Sequence, residues 1–114
     1  MRESEIQVAI MQALAGAPRI RFWRNNTGSL EDRNGRRVNF GLVGSADLLG
    51  ILAPEGRLLA IECKSPTGRQ SPAQVAFGTM IERFGGVYIL ARSVADVLET
   101  LHPWLTDTSK PLPP

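Results

Sequence analysis

Hydrophobic positions along this chain recur with two different periods, and the switches between them mark out its elements. From Glu3 to Ala15, the residues Ile6, Ala9, Ile10, Ala13 and Leu14 fall at helical spacing, and Gly16 and Pro18 end the run. At about 100° per residue, Glu3 lies on the same face as Ile6 and Ile10, whereas Glu5 points away from it. Both acids also suit the positive end of a helix dipole, which would by itself account for them. Arg19 to Arg24 alternates basic residues with Ile20, Phe22 and, less regularly, Trp23, the pattern of a half-exposed strand with an arginine face. Arg33-Asn34-Gly35-Arg36 carries the Asn-Gly signature of a tight hairpin leading into Val38-Asn39-Phe40.

Two short apolar runs follow. Asp47 heads Leu48-Leu49-Gly50-Ile51-Leu52, and the run from Leu58 to Lys64 is bounded by Glu55-Gly56 and Ser65-Pro66, so the pair reads as neighbouring strands, the second of them buried. Ser71-Pro72-Ala73-Gln74 has the form of a helix start, with Ser71 as N-cap, Pro72 at the first helical position and Gln74 placed to close a capping box. That helix continues through Val75, Phe77, Met80, Ile81 and Phe84 and ends at Gly85-Gly86. Val87 to Ala91 is a further buried strand. Ser93-Val94-Ala95-Asp96 opens a last helix, which Pro103 closes, with His102 in a capping role. The domain is therefore expected over residues 1–102. Residues 103–114, with Pro111, Pro113 and Pro114, form a tail too poor in apolar residues to fold alone. The order helix, strands, helix, strand, helix predicts an α/β fold: a mixed central β-sheet, helices on both faces, and a site at the strand ends.

The chemistry is concentrated in Asp47 and in Ile61-Glu62-Cys63-Lys64. Side chains alternate along a strand, which puts Glu62 and Lys64 on one side and Leu59, Ile61 and Cys63 on the other. Two carboxylates and an ammonium gathered at strand ends supply what divalent-metal phosphodiester hydrolysis requires, namely hard oxygen ligands and a cation beside the attacking water. The Cys63 carbonyl, lying between Glu62 and Lys64, can serve as a further oxygen ligand. An isolated Glu-x-Lys is most often an exposed ion pair of small energetic consequence. Its place at the end of a strongly apolar strand, with an acid heading the neighbouring one, favours the metal site.

These residues also carry a resemblance. The ordered series Glu3, Asn25-Asn26-Thr27-Gly28, Gly44-Ser45-Ala46-Asp47, Ile61-Glu62-Cys63-Lys64, Gly68 to Gln74 and Gly85-Gly86-Val87 resembles the VRR-NUC domain, a branch of the PD-(D/E)xK nucleases, over about Met1 to Leu101. Ala46 stands where the superfamily's name has proline. The resemblance implies a restriction-endonuclease-like core and an active site of Asp47, Glu62 and Lys64 with Mg²⁺ or Mn²⁺ as cofactor. It also implies supporting roles for a first-helix glutamate, matched by Glu3, and for a glutamine of the helix after the Glu-x-Lys strand, matched by Gln74. Standalone chains of this kind act as homodimers on branched DNA such as four-way junctions, so a homodimer and a branched substrate are expected by resemblance alone.

Composition narrows the remaining possibilities. With 114 residues the chain has room for one modest core. Six of its thirteen basic residues, Arg19, Arg21, Arg24, Arg33, Arg36 and Arg37, fall within one segment that contains only Glu31 and Asp32 as acids, a local basic surface within a net charge of just +2. Arg24, Asn25, Asn26, Arg33, Arg36, Arg37 and, beyond the Glu-x-Lys strand, Arg69 are accordingly the candidate nucleic-acid contacts, with Trp23 close by for stacking. One cysteine and one histidine exclude an internal disulfide and a four-ligand zinc site. No apolar run approaches ~18 residues and no signal peptide is evident, so a cytoplasmic protein with no membrane partner and no small-molecule cofactor is expected. A Mg²⁺-dependent DNA endonuclease is the leading reading. A non-catalytic DNA-binding module, or a subunit of a repair or packaging complex, would keep the basic segment without the hydrolysis.

Overall fold

The computed structural model describes residues 1–26 and 28–106. Helix α1 spans Glu3–Leu14, and its start is fixed by Glu5, whose carboxylate accepts the Arg2 backbone N–H at 3.1 Å. Strand β1 (Ile20–Arg24) and the hairpin of β2 (Gly28–Glu31) and β3 (Arg37–Phe40) precede β4 (Leu48–Leu52) and β5 (Arg57–Cys63). Helix α2 (Pro72–Arg83) then leads to β6 (Val87–Ala91), and α3 (Val94–Thr100) and α4 (His102–Thr106) complete the described chain. The result is an α/β domain with a four-stranded mixed sheet in the order β1-β4-β5-β6. The first three strands run antiparallel, while β5 and β6 are parallel and joined through α2, the crossover a parallel pair needs.

The two faces of the sheet are covered unequally. On one face Ile6, Ile10 and Leu14 of α1 and Val97 of α3 meet Leu48, Leu52, Leu59, Ile61, Cys63 and Ile89 in the main core. On the other, Phe77 and Ile81 of α2 close over Ala46 and Ala60, with Leu49 and Tyr88 packed alongside. Strand alternation is thus realised as expected, with Leu59, Ile61 and Cys63 facing α1 and the even positions of β5 facing α2. The α2 helix lies over the β5 and β6 half of its face, and Trp23, Ile51 and Leu58 keep exposed surface on the remainder.

Two expectations need correction. The Asn34-Gly35 pair does not form a two-residue turn, because such a turn needs left-handed backbone at both central positions and, among the described residues, only glycines adopt positive φ. Glu31 pairs instead with Arg37, and a longer loop intervenes. There the Asp32 carboxylate accepts the N–H groups of Asn34 (2.9 Å) and Arg36 (2.8 Å), and Gly35 takes φ 77°. Nor does Pro103 end the fold. It occupies the first turn of α4, where its missing N–H costs nothing, and Trp104 and Leu105 pack against the main core while Arg57 stacks over the Trp104 ring. The helical chain therefore runs past residue 102 to Thr106, and the rest of the expected tail lies outside the described residues.

Gly44 ties the loop before β4 to α2. Its φ of +81° is left-handed, and a Cβ there would lie 2.4 Å from the Ala73 backbone oxygen. Gly44→Ala is expected to destabilise the domain by roughly 1–3 kcal/mol, whereas Gly16→Ala, which would meet nothing within 4 Å, leaves stability nearly unchanged. Urea denaturation of the two variants beside the parent checks this, equal midpoints for all three being the contrary result.

Candidate active site

Strand register alone brings Asp47 and Glu62 together. Leu48 pairs with Ile61 across the antiparallel β4–β5 ladder, so the next pair outward is Asp47 opposite Glu62. The β1–β4 register places Asn25 beyond Asp47, where the Asn25 N–H donates to the Asp47 carbonyl at 2.9 Å. The parallel β5–β6 register sets Leu90 beside Glu62. One row across the α2 face of the sheet therefore reads Asn25, Asp47, Glu62, Leu90. The row behind it reads Trp23, Leu49, Ala60, Tyr88.

Like charges directly opposite each other on a sheet are unfavourable, and the structure holds this pair in place by other bonds. The Asp47 carboxylate accepts the Cys63 N–H at 2.8 Å, which pins it to the end of β5. The Asn25 amide donates to Ser45 Oγ and, at 2.9 Å, to the Ala46 carbonyl, fixing the loop that delivers Asp47. Glu62 is 3% exposed, and its Oε2 has no hydrogen-bond partner. Burial, the hydrogen bond to Asp47 and the charge of Asp47 push the Glu62 carboxyl from its ordinary 4.5 up to about 8, with Lys64 acting in the opposite direction. Burial beside the same acids raises the Cys63 thiol to about 12, so Cys63 contributes its backbone here and not a thiolate.

Lys64 stands just beyond β5 with its side chain 12% exposed, and its Nζ lies 3.8 Å from Glu3 Oε1. The first helix thus sends Glu3 around the end of the sheet to the site, while Glu5 is bound to Arg2 in the cap. Among the described residues no three His, Cys, Asp or Glu side chains cluster as a metal-ligand set. What converges is two carboxylates, the Cys63 backbone and the Glu3–Lys64 pair. This donor set fits a hard divalent cation: burial and Asp47 hold the proton on Glu62, and a buried carboxylate oxygen lacks any partner.

The other sequence candidates are placed elsewhere. Gln74 completes the α2 capping box, its Oε1 accepting the Ser71 N–H at 2.8 Å and its own N–H donating to Ser71 Oγ at 3.2 Å. The glutamine that reaches the site's flank is Gln70, whose Nε2 donates to the Tyr88 hydroxyl at 2.9 Å. Tyr88, raised to about 12 by burial and by the charges of Glu62 and Asp47, went unnoticed in the sequence. Its signal was present: it is the one polar-capable side chain in Val87-Tyr88-Ile89-Leu90-Ala91. Arg24 projects to the opposite face of the sheet, lining a groove of about 430 Å³ with Gln7, Val8 and Met11 of α1. Arg33, Arg36 and Arg37 are exposed on the hairpin, as are Asn26 and Arg69 in their loops. A residue not anticipated at all is Arg92, whose guanidinium donates to the Ser65 (2.6 Å) and Gly68 (2.7 Å) carbonyls and so braces the loop that follows Lys64.

Comparison with known proteins returns no match to this chain from any family model, curated protein or solved structure.

The raised Glu62 carboxyl makes stability depend on pH. The folded, metal-free protein holds the Glu62 proton up to about pH 8, whereas the unfolded chain releases it near 4.5. Stability from this group is therefore complete below 4.5 and is lost as pH rises through 8. In EDTA, the melting temperature of the parent is expected to fall across that window, and Glu62→Gln, which cannot ionise, flattens the fall. An identical pH profile for both proteins would contradict the pairing. Added Mg²⁺ is expected to restore stability at pH 8 with release of a proton.

Proposed function

We propose that this protein is a Mg²⁺- or Mn²⁺-dependent endonuclease that hydrolyses DNA phosphodiester bonds, built on a restriction-endonuclease-like core of the VRR-NUC kind. The single observation that carries the reading is the cross-strand pair of Asp47 and Glu62, hydrogen-bonded to each other, with Glu62 buried and its Oε2 unpartnered. A structural domain gains nothing from burying Glu62 opposite a second acid, and a strongly perturbed carboxyl of this sort is a mark of functional sites.

Asp47, Glu62 and the Cys63 carbonyl would hold the cation, which when bound supplies Lewis-acid polarisation of phosphate oxygens. Lys64 brings its ammonium to the same end of β5, where it orients the attacking water and offsets charge growing on the phosphate. Glu3 keeps Lys64 in position through their contact at 3.8 Å. Asn25 and Arg92 hold the two loops that present these groups. Exposed Arg33, Arg36 and Arg37 offer phosphate contacts away from the chemistry. A homodimer acting on branched DNA is part of the proposal through resemblance, two sites related by a twofold axis suiting paired cuts. The non-catalytic alternative expects the carboxylates to be neutralised by Lys64, yet the ion pair that Lys64 makes is with Glu3.

Cleavage of duplex, flap and four-way-junction DNA with Mg²⁺ and with EDTA tests the reading. Asp47→Ala and Glu62→Ala are each expected to lower cleavage by at least a hundredfold while the fold persists, because each removes a metal ligand. Lys64→Ala is expected to lose most activity and retain metal affinity by calorimetry. Near-parental rates in either carboxylate variant would rule out a metal site at this pair. Replacing Arg33, Arg36 and Arg37 with Gln is expected to weaken DNA binding and to flatten the slope of log K against log salt by about 0.9 for each phosphate that is no longer neutralised. An unchanged slope would place the DNA elsewhere.

A further inference from the structure

Trp23 is 48% exposed near the end of β1, on the sheet face that carries the carboxylates. A single exposed apolar residue calls for no explanation, but the position of this one is unusual. Asn25 is the β1 residue opposite Asp47, so Trp23 is the diagonal neighbour of Asp47 on the same face. Diagonal partners on an antiparallel pair lie roughly 7–8 Å apart, which brings the indole within one nucleotide of anything attacked at Asp47 and Glu62. The face around it is open, because α2 covers Ala60 and Tyr88 at the far end of the same row and leaves the β1 end bare. Ile51 and Leu58 extend the exposed apolar surface behind the ring, and exposed Asn26 follows just past the end of β1.

We propose that Trp23 is a stacking platform for an unpaired base adjacent to the scissile phosphate, so that this site selects nucleic acid with single-stranded character at the cut. The inference rests on the nuclease reading for the position of the phosphate and goes beyond it in naming the substrate feature and the residue that reads it. A flat ring set in an open sheet face offers its π surface only to a base whose own face is free, and bases inside a duplex are already stacked on both sides. Stacking is tolerant of sequence, so the platform selects for unpairing and not for a base. A second protein copy seated on the same surface is the competing occupant. The observations favour nucleic acid, since the ring adjoins the paired carboxylates on the same face.

The test uses the full chain in EDTA, where binding is separated from cleavage, with a thymidine oligonucleotide, a flap carrying 2-aminopurine next to the junction, and a blunt duplex. Trp23→Ala is expected to weaken binding of the oligonucleotide and the flap by roughly five- to a hundredfold, to change duplex affinity less than twofold, and to abolish the 2-aminopurine quenching that the parent produces. Trp23→Phe restores most of both effects. Trp23→Leu, which keeps apolar area and loses the ring, behaves as Trp23→Ala. Equal losses on duplex and single strand, full function in Trp23→Leu, or a dimer in light scattering that dissociates in Trp23→Ala would each overturn the proposal, the last assigning the face to a second copy. The two readings fail separately. A parent that binds and quenches the flap yet never cleaves it in Mg²⁺ keeps the platform and loses the nuclease, and a Trp23→Ala protein that cuts flaps at the parental rate does the reverse.

Discussion

Two acids set directly opposite each other on adjacent strands repel unless something lies between them, and the rest of this domain is arranged so that Asp47 and Glu62 cannot part. Their opposition follows from the β4–β5 register, in which Leu48 meets Ile61 and Leu52 meets Arg57. That register is enforced from both faces. Leu48, Leu52, Leu59 and Ile61 are buried against α1 and its neighbours, and Ala60 against Phe77 and Ile81 of α2. A slip of one residue would turn the whole apolar set of β5 toward the wrong face, at a cost far larger than the repulsion it relieves. The repulsion is met instead by Glu62 keeping its proton, as burial and Asp47 together lift its carboxyl to about 8. On the proposed function, a divalent cation would offer a better solution to the same problem, since it would neutralise both acids and give the orphaned Glu62 oxygen a partner.

Much of this was legible in the sequence, for reasons that differ by element. Helix α2 could be read because Ser71, Pro72, Gln74 and Gly85 each state a local geometry that tertiary contacts had no cause to override. Strand β6 was legible as an apolar run with no competing period. Helical phase favoured Glu3 over Glu5 but left the two open, since either acid suits a helix N-terminus, and what separates them in the structure is the Glu3–Lys64 contact on one side and the Arg2–Glu5 cap on the other. Asp47 and Glu62 could be suspected as a pair, but their direct opposition depends on inter-strand register, which no single strand encodes.

What escaped the sequence depended on partners distant along the chain. Asn34-Gly35 looked like a self-contained turn, yet Asp32 captured the backbone N–H groups of Asn34 and Arg36 and opened a longer loop. Gln74 and Gln70 are equally plausible glutamines until one is bound into a helix cap and the other reaches Tyr88. Asn25 looked like a surface polar residue suited to phosphate, and its amide is engaged with Ser45 and Ala46. Arg92 offered no sign of its role, because the carbonyls it braces belong to a loop more than twenty residues earlier.

The unequal covering of the two sheet faces connects these observations. A four-stranded sheet of this size needs one face fully packed for stability, and α1 with α3 provides it. The other face is free to stay half open, since α2 needs only the β5–β6 side to complete the parallel crossover. The carboxylate row lies at the margin of that opening: Glu62 is sealed by neighbours that raise its proton affinity, and Trp23 one row back is left bare. Extending α2 over β1 would bury Trp23 and add apolar packing, and it would also shut the carboxylates away from any polymeric substrate. The exposed apolar surface on this face is thus stability given up where the carboxylates meet solvent, which on the proposed function would keep a long, charged chain within reach of them.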